Sequence, residues 1–197
     1  MRTKGSRACL VKLVAAGLKE VVRANPPRPA QVREVSPEET RRRRDIASVK
    51  WALGTIHWPT LDNHMRDSPH IIRTEVLHFW ESFDSVVTNS LFHLYDQELL
   101  EKITRLHKFW GMTLAFYRNY HQTITGDSVF SNAGGTPLTS TQEKDWKVIE
   151  KAVSEIFAAK EDLLQHIREK YVEVDIKELN RTAWTEYVEF QKEMARQ

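Results

Sequence analysis

The sequence is poor in cysteine, glycine and proline, and each scarcity excludes a class of structure. Cys9 is the only cysteine among 197 residues, so no intramolecular disulfide can form. A reducing, cytoplasmic compartment is the expectation for such a chain. Seven glycines and seven prolines leave long uninterrupted runs, whereas a strand-rich fold needs frequent turns. The composition therefore favours helices.

Long hydrophobic runs are also missing. Lys12 and Lys19 interrupt the apolar stretch between Ala8 and Val22, which argues against a secretory signal. No apolar stretch approaches the ~20 residues that a membrane-spanning helix needs. We therefore expect no transmembrane segment.

Charge is distributed unevenly along the chain. Residues 1–50 carry 13 Lys/Arg against 5 Asp/Glu, and the remaining 147 carry 16 against 22. We predict a basic N-terminal arm over residues 1–30, formed by an amphipathic helix at 8–23 and a Pro-rich linker, followed by a helical-bundle domain over 31–197. The arm suits nucleic acid, an anionic lipid surface or another copy of the chain. Its amphipathic pattern, without acidic residues before Glu20, also fits a mitochondrial targeting segment.

The strongest helical periodicity runs from Leu99 to Tyr120. At 3.6 residues per turn the apolar residues of this stretch form two adjacent lines along the helix. The helix therefore needs neighbours on both flanks. We predict that it is the centre of the fold. The first line comprises Leu99, Ile103, Leu106, Trp110 and Tyr117, and the second Phe109, Phe116 and Tyr120.

Start and stop signals divide the rest of the chain into further helices. The overall prediction is an all-α bundle of four main helices with one flanking helix. Asp96 and Asp175 are the predicted N-caps of the second and fourth main helices, and Ser140 with Glu143 is the predicted capping box of the third. The main helices are predicted at about 69–95, 96–122, 141–172 and 176–195, the flanking capped helix at 37–57, an irregular connection at 59–67 and a disordered loop at 123–140.

Two predicted helices carry apolar rows that must be covered. A heptad seam runs from Trp146 to Ile167, and the last helix presents a row from Ile176 to Met194. A second copy of the chain would cover the seam, which predicts a coiled-coil-like contact and a homodimer. In the alternative, the helix at 37–57 fills the gap and the protein is a monomer.

Motifs for catalysis and cofactor binding are missing from the sequence. It contains no phosphate-binding loop, no dinucleotide-binding glycine pattern and no G-x-S-x-G elbow, so no cofactor is expected. Glu75 and His78 form one Glu-x-x-His step of the kind used in di-iron bundles, but such sites need a second step and two more glutamates. We therefore expect no metal.

Arg73 and His78 are separated by four residues, a spacing that resembles the Arg-x4-His motif of HEPN-type ribonucleases. The resemblance covers six residues and implies a small helical RNA-cleaving domain. Arg73 would bind phosphate and His78 would act in acid–base chemistry, in paired copies across a dimer. The sequence departs from the family at Thr74, where a polar amide or an acid is usual.

Arg41, Arg42, Arg43 and Arg44 form the sharpest electrostatic feature. Four consecutive residues encircle a helical turn, so they cannot all point inward. One interpretation is a solvated face paired with Glu38, Glu39 and Asp45. The other is a contact with phosphates or anionic headgroups.

Taken with the absent motifs, these features favour a non-enzymatic interaction or regulatory module that self-associates or docks a protein partner. The alternative is a phosphate- or RNA-binding helical protein, in which Arg73 and His78 would form a ribonuclease site. The two hypotheses differ in geometry, because only the enzyme requires Arg73 and His78 to converge on an open cleft.

Overall fold

Six α-helices and three short strands make up the part of the chain that the computed structural model describes, residues 35–131 and 136–196. The predicted all-α class is confirmed. The arm and linker over residues 1–30 lie outside the described residues. The helices are α1 Pro37–Leu53, α2 Trp58–Asp67, α3 Thr74–Val87, α4 Gln97–Leu114, α5 Ser140–Lys170 and α6 Ile176–Met194; the strands are β1 Ile71–Ile72, β2 Tyr120–Gln122 and β3 Ser128–Phe130.

The predicted irregular connection at 59–67 is wrong, because α2 occupies it. Proline is tolerated in the first turn of a helix, where its missing N–H is not needed. Pro59 lies at that point, and the backbone N–H of Trp58 donates to the Asn180 side chain at 2.9 Å. The Trp58-Pro59 pair therefore begins a helix, and the flanking helix α1 ends at Leu53 rather than at residue 57.

The predicted helix at 69–95 is too long at both ends. Residues before it form β1, and α3 covers only Thr74–Val87. The predicted start of α4 is confirmed, because the Asp96 carboxylate accepts the backbone N–H of Leu99 at 3.1 Å. The chain from 88 to 96 thus separates two helices although it contains neither glycine nor proline.

The central helix is shorter than the predicted span of 96–122. The predicted disordered loop at 123–140 contains the turn and the second strand of a hairpin, β3. After α4 a 3-10 turn at Tyr117–Asn119 leads into β2, which pairs antiparallel with β3. Gly126, at φ 89°, provides the tight turn between them. Because α4 ends at Leu114, Tyr117 leaves the apolar line and is 79% exposed.

The three-stranded sheet joins distant parts of the chain in the order β1-β3-β2. Ile71 pairs with Val129 and Ile72 with Ser128, so β3 lies between β1 and β2. Phe130 is buried, and its ring meets Tyr120 and Trp146 edge-on at 5.1 Å. The sheet thereby ties the start of α3 and the end of α4 to the first turns of α5.

Helices α4 and α5 form an antiparallel pair. Arg118, just after α4, meets Asp145 near the start of α5, and Glu98 meets Lys170 at its end. The predicted bounds of α5 agree within two residues, but its capping box is formed by Thr139 and Gln142 rather than by Ser140 and Glu143. Most of the predicted heptad seam is buried inside the chain, at Ile149, Ile156, Leu163 and Ile167.

Trp110 lies at the centre of the core and is fully buried, as predicted. Its ring lies 5.6 Å from Trp80 and 5.9 Å from Phe83. Gly111 permits the close approach of Trp80, since a Cβ there would stand 2.8 Å from its ring. The line of Leu99, Ile103, Leu106 and Trp110 is wholly buried, which confirms that part of the central-helix prediction.

Helix α6 is covered only along part of its predicted inward row. Ala183 is buried, and Tyr187 packs against Phe79 with ring centroids 5.2 Å apart. Phe190 and Met194 continue the same row but are 42% and 52% exposed. The last turns of α6 therefore carry an uncovered apolar edge.

Candidate functional site

A buried polar network surrounds the N-terminus of α4. Asp45, 4% exposed on α1, accepts the backbone N–H groups of Tyr95 at 2.6 Å and of Asp96 at 3.1 Å. These two donors precede α4 and have no helical partner of their own. A carboxylate at least 50 residues away in sequence thus holds the chain in the conformation that starts the helix.

Asp96 is the second carboxylate of this network. One of its oxygens caps α4, and the other accepts the Tyr171 hydroxyl at 3.0 Å and lies 3.2 Å from His166 Nε2. Burial raises the pKa of Asp96, but the hydrogen bonds from Leu99, Tyr171 and His166 outweigh it and lower the pKa below the ordinary value. The network therefore stabilises an ionised Asp96.

This network is structural rather than catalytic. Asp45 and His166 are each only 4% exposed, so a substrate reaches neither group. Burial and the hydrogen bond to Asp96 raise the pKa of Tyr171, which keeps its hydroxyl protonated as a donor. These side chains connect α1, α4 and the end of α5.

The first prediction concerns Asp45→Asn. The amide keeps the shape of the side chain but offers one acceptor oxygen to two backbone N–H groups, so one buried donor is left without a partner. We expect a loss of about 1–3 kcal/mol in the free energy of unfolding, measured by urea denaturation. Asp162→Asn is the matched control, because Asp162 makes an exposed ion pair with Arg105 and should change stability by less than ~1 kcal/mol. Equal effects at both positions would contradict the role of Asp45.

The four arginines from Arg41 to Arg44 have separate partners. Arg42 donates to both carboxylate oxygens of Glu173 and, at 2.8 Å, to the carbonyl of Lys170. Arg43 pairs with Glu39 at 2.6 Å, one turn away. The Arg41 guanidinium lies 5.7 Å from the centre of the Tyr95 ring, and Arg44 donates to the Tyr95 hydroxyl at 2.9 Å. Arg42 thus serves the fold, and contact of the run with an anionic surface stays a prediction.

Arg73 and His78 contact different parts of the structure. The Arg73 guanidinium donates to Asp67 at 2.8 Å, and this bond raises the pKa of Arg73. The His78 ring lies 4.9 Å from Tyr187 and 5.0 Å from Phe190, both on α6, and burial lowers its pKa. Arg73 and His78 thus have different partners within one chain, and the ribonuclease hypothesis, which places the site in paired copies across a dimer, stays a prediction.

No cluster of three or more His, Cys, Asp or Glu suited to a metal ion occurs within residues 35–131 and 136–196. Of the predicted Glu75–His78 step, His78 faces aromatic rings of α6. Another histidine, His64, is 1% exposed and lies 2.8 Å from the hydroxyl of Thr113. It is a core side chain.

A groove of about 610 Å³ lies between α4 and α5. Three lysines line it: Lys108 from α4, and Lys147 and Lys151 one turn apart on α5. None of the three makes an ion pair with another described residue. Glu155 also lines the groove but is engaged by Arg105 at 2.8 Å. The floor is apolar and consists of Phe109, Met112, Val148 and Ala152.

A second depression continues this groove along α4. It shares Lys108, Phe109 and Glu155 with the first and adds Leu100, Glu101, Thr104 and Arg105. Together they form an extended channel with an apolar floor, and we call the part of it that Lys108, Lys147 and Lys151 line the basic groove. A ligand that fits it needs an apolar side and negative charge.

The basic groove was missed by reasoning from sequence. The i, i+4 spacing of Lys147 and Lys151 was visible as a local signal, and it places both on one face of α5. Lys108, however, reaches the same groove from another helix. Only the antiparallel packing of α4 on α5 brings the three lysines together.

No protein-family model, no curated protein and no solved structure matches the chain. None of the described helices combines the length and the apolar character needed to cross a membrane. Function must therefore be argued from the geometry of the molecule itself.

Proposed function

We propose that this protein is a non-enzymatic interaction module that docks an amphipathic helix of acidic character in the basic groove. The observation that carries the proposal is the set of Lys108, Lys147 and Lys151 standing without ion pairs around an apolar floor. An exposed apolar patch rimmed by polar side chains is typical of a protein-interaction surface or a ligand-binding groove.

The shape of the groove favours a helix as ligand. Two antiparallel helices leave a channel between them into which the apolar face of a third helix fits at i, i+3, i+4 and i+7 positions. Lysines on the rim would pair with acidic residues flanking that face and set its orientation. The proposed location of this activity is the cytoplasm, in keeping with the lone Cys9.

An enzymatic function has less support. Asp45 and His166 are buried, Arg73 is paired with Asp67, and His78 is covered by rings of α6. The groove itself presents lysines and one engaged glutamate, without a histidine, cysteine or serine that could act as a nucleophile or base.

The test of this proposal is a binding titration with a labelled synthetic peptide about 18 residues long, or five helical turns. The peptide carries Leu at i, i+3, i+4 and i+7 and Glu on the flanks, and a second peptide replaces Glu by Lys. We expect fluorescence anisotropy to show binding of the acidic peptide only. Lys147→Glu combined with Lys151→Glu should weaken that binding on the order of 100-fold, because two attractive pairs become repulsive.

The matched control combines Lys50→Glu with Lys177→Glu, which makes the same charge change at exposed positions outside the groove. Binding that survives in the groove variant, or that is lost equally in the control, would overturn the proposal. A labelled single-stranded RNA is titrated in parallel. If RNA rather than peptide binds in a manner that depends on Lys147 and Lys151, the groove recognises nucleic acid instead.

A further inference from the structure

The exposed face of α6 carries acidic and apolar side chains, which complement the lysines and the apolar floor of the basic groove. Glu186, Glu189 and Glu193 lie on one side of the helix, at i, i+3 and i+7, and none forms an ion pair with a described residue. Phe190 and Met194 lie beside them at the uncovered end of the inward row. The last turns of α6 are therefore an amphipathic acidic helix, which we call the acidic edge.

The acidic edge and the basic groove match in charge and spacing. Glu189 and Glu193 are four residues apart, as are Lys147 and Lys151, so each pair spans about 6 Å along its helix. The edge offers two exposed apolar side chains, and the groove offers an apolar floor. Each chain thus carries three carboxylates and three ammonium groups on separate surfaces, and none of the six makes an ion pair with a described residue.

We infer that the occupant of the basic groove is the acidic edge of a second copy of this chain. This inference rests on the proposed docking function and names its partner. It differs from the sequence-based argument for a dimer, because the heptad seam of α5 is already covered by α4 within one chain. The contact joins two different patches on two copies, and is of the heterologous kind.

Charge reversal on each side of the contact tests the inference. The groove variant carries Lys147→Glu and Lys151→Glu, and the edge variant carries Glu189→Lys and Glu193→Lys. We expect the wild-type chain to exceed the mass of a 23.0 kDa monomer in analytical ultracentrifugation at micromolar concentration and low salt. Each variant alone should associate on the order of 100-fold more weakly, and added salt should weaken the wild-type contact.

Mixing the two variants is the decisive step. In the mixture the intact acidic edge of the groove variant meets the intact basic groove of the edge variant, and the two reversed patches also match in charge, so association should return while it stays absent in either protein alone. Restored association supports the inference. A wild-type monomer at 100-fold higher concentration, or variants that associate as well as wild type, would overturn it.

Failure here is distinguishable from failure of the docking function. If the acidic peptide still binds the groove while the chain remains a monomer, the groove serves another partner and only the second copy is excluded. If neither the peptide nor a second copy binds, the docking function itself is wrong. Circular dichroism of both variants confirms that the helices are intact.

Discussion

Replacing Trp110 by alanine is expected to cost about 3–5 kcal/mol in the free energy of unfolding. The side chain is fully buried where α3 meets α4, and its ring packs against Trp80 and Phe83. Removing it leaves a cavity that the surrounding helices can close only in part. Since a domain of this size is stable by only ~5–15 kcal/mol, the loss threatens folding outright.

Thermal unfolding followed by circular dichroism measures this effect. Trp51→Ala is the matched control, because Trp51 is 41% exposed on α1 and its removal opens no interior cavity. Trp110→Phe provides a milder test should the alanine variant fail to fold. The buried indole N–H of Trp110 has no hydrogen-bond partner, so phenylalanine loses volume but no hydrogen bond. An unchanged melting temperature in Trp110→Ala would contradict the central position of α4.

Stability is expected to fall by about 3 kcal/mol between pH 6.5 and pH 4 through His64 alone. Burial lowers the pKa of His64 to about 4, with the charge of Asp67 opposing the shift. In the unfolded chain the ordinary value of 6.5 applies. Between these two pH values His64 binds a proton in the unfolded chain but stays neutral in the folded protein. Protonation therefore favours the unfolded state, and the free energy of unfolding is highest above pH 6.5 and falls as the pH drops to 4.

The hydrogen bonds of His64 explain why the neutral ring is favoured. Thr113 donates its hydroxyl to the carbonyl of Trp110 at 2.7 Å, so at 2.8 Å it accepts from His64 Nε2–H. Ser68 lies 3.2 Å from Nδ1 and donates to it. A second proton on the ring would turn Nδ1 from an acceptor into a donor toward Ser68. It would also place a positive charge in the core.

Urea denaturation at pH 7 and pH 4 measures this dependence. His64→Gln retains a donor toward Thr113 but does not titrate, so its loss of stability between the two pH values should be smaller by about 3 kcal/mol than in wild type. His121→Gln replaces an exposed histidine and should leave the wild-type difference unchanged. His57 and His78 also have a pKa lowered by burial, so both add to the loss in the same direction. Equal pH dependence in wild type and His64→Gln would show that His64 is not the titrating group.

Local sequence signals predicted the helices whose ends carry their own caps. Asp96 and Asp175 accept backbone N–H groups of the residues that follow, and both were identified from sequence. The buried line from Leu99 to Trp110 was likewise readable as a 3.6-residue period. These features depend on side chains within one or two turns of each other, and neighbours in sequence are enough to specify them.

Features that join distant segments were not predictable in this way. Asp45 cannot be recognised as the acceptor for Tyr95 and Asp96 until α1 packs beside the start of α4. Strand β3 pairs with β1 more than 50 residues earlier and with β2 in a hairpin, so part of a predicted disordered loop lies in a sheet. Short strands carry too few residues for a periodic signal of their own.

The helical class, the caps at Asp96 and Asp175 and the burial of Trp110 could be predicted from the residues alone, because periodicity and capping are local properties. The ends of α3 and α4, the covered apolar rows and the grouping of the lysines depend on how the helices pack. Packing selects among faces that look alike in the sequence. The seam of α5 found its partner in α4, whereas the end of α6 was left uncovered.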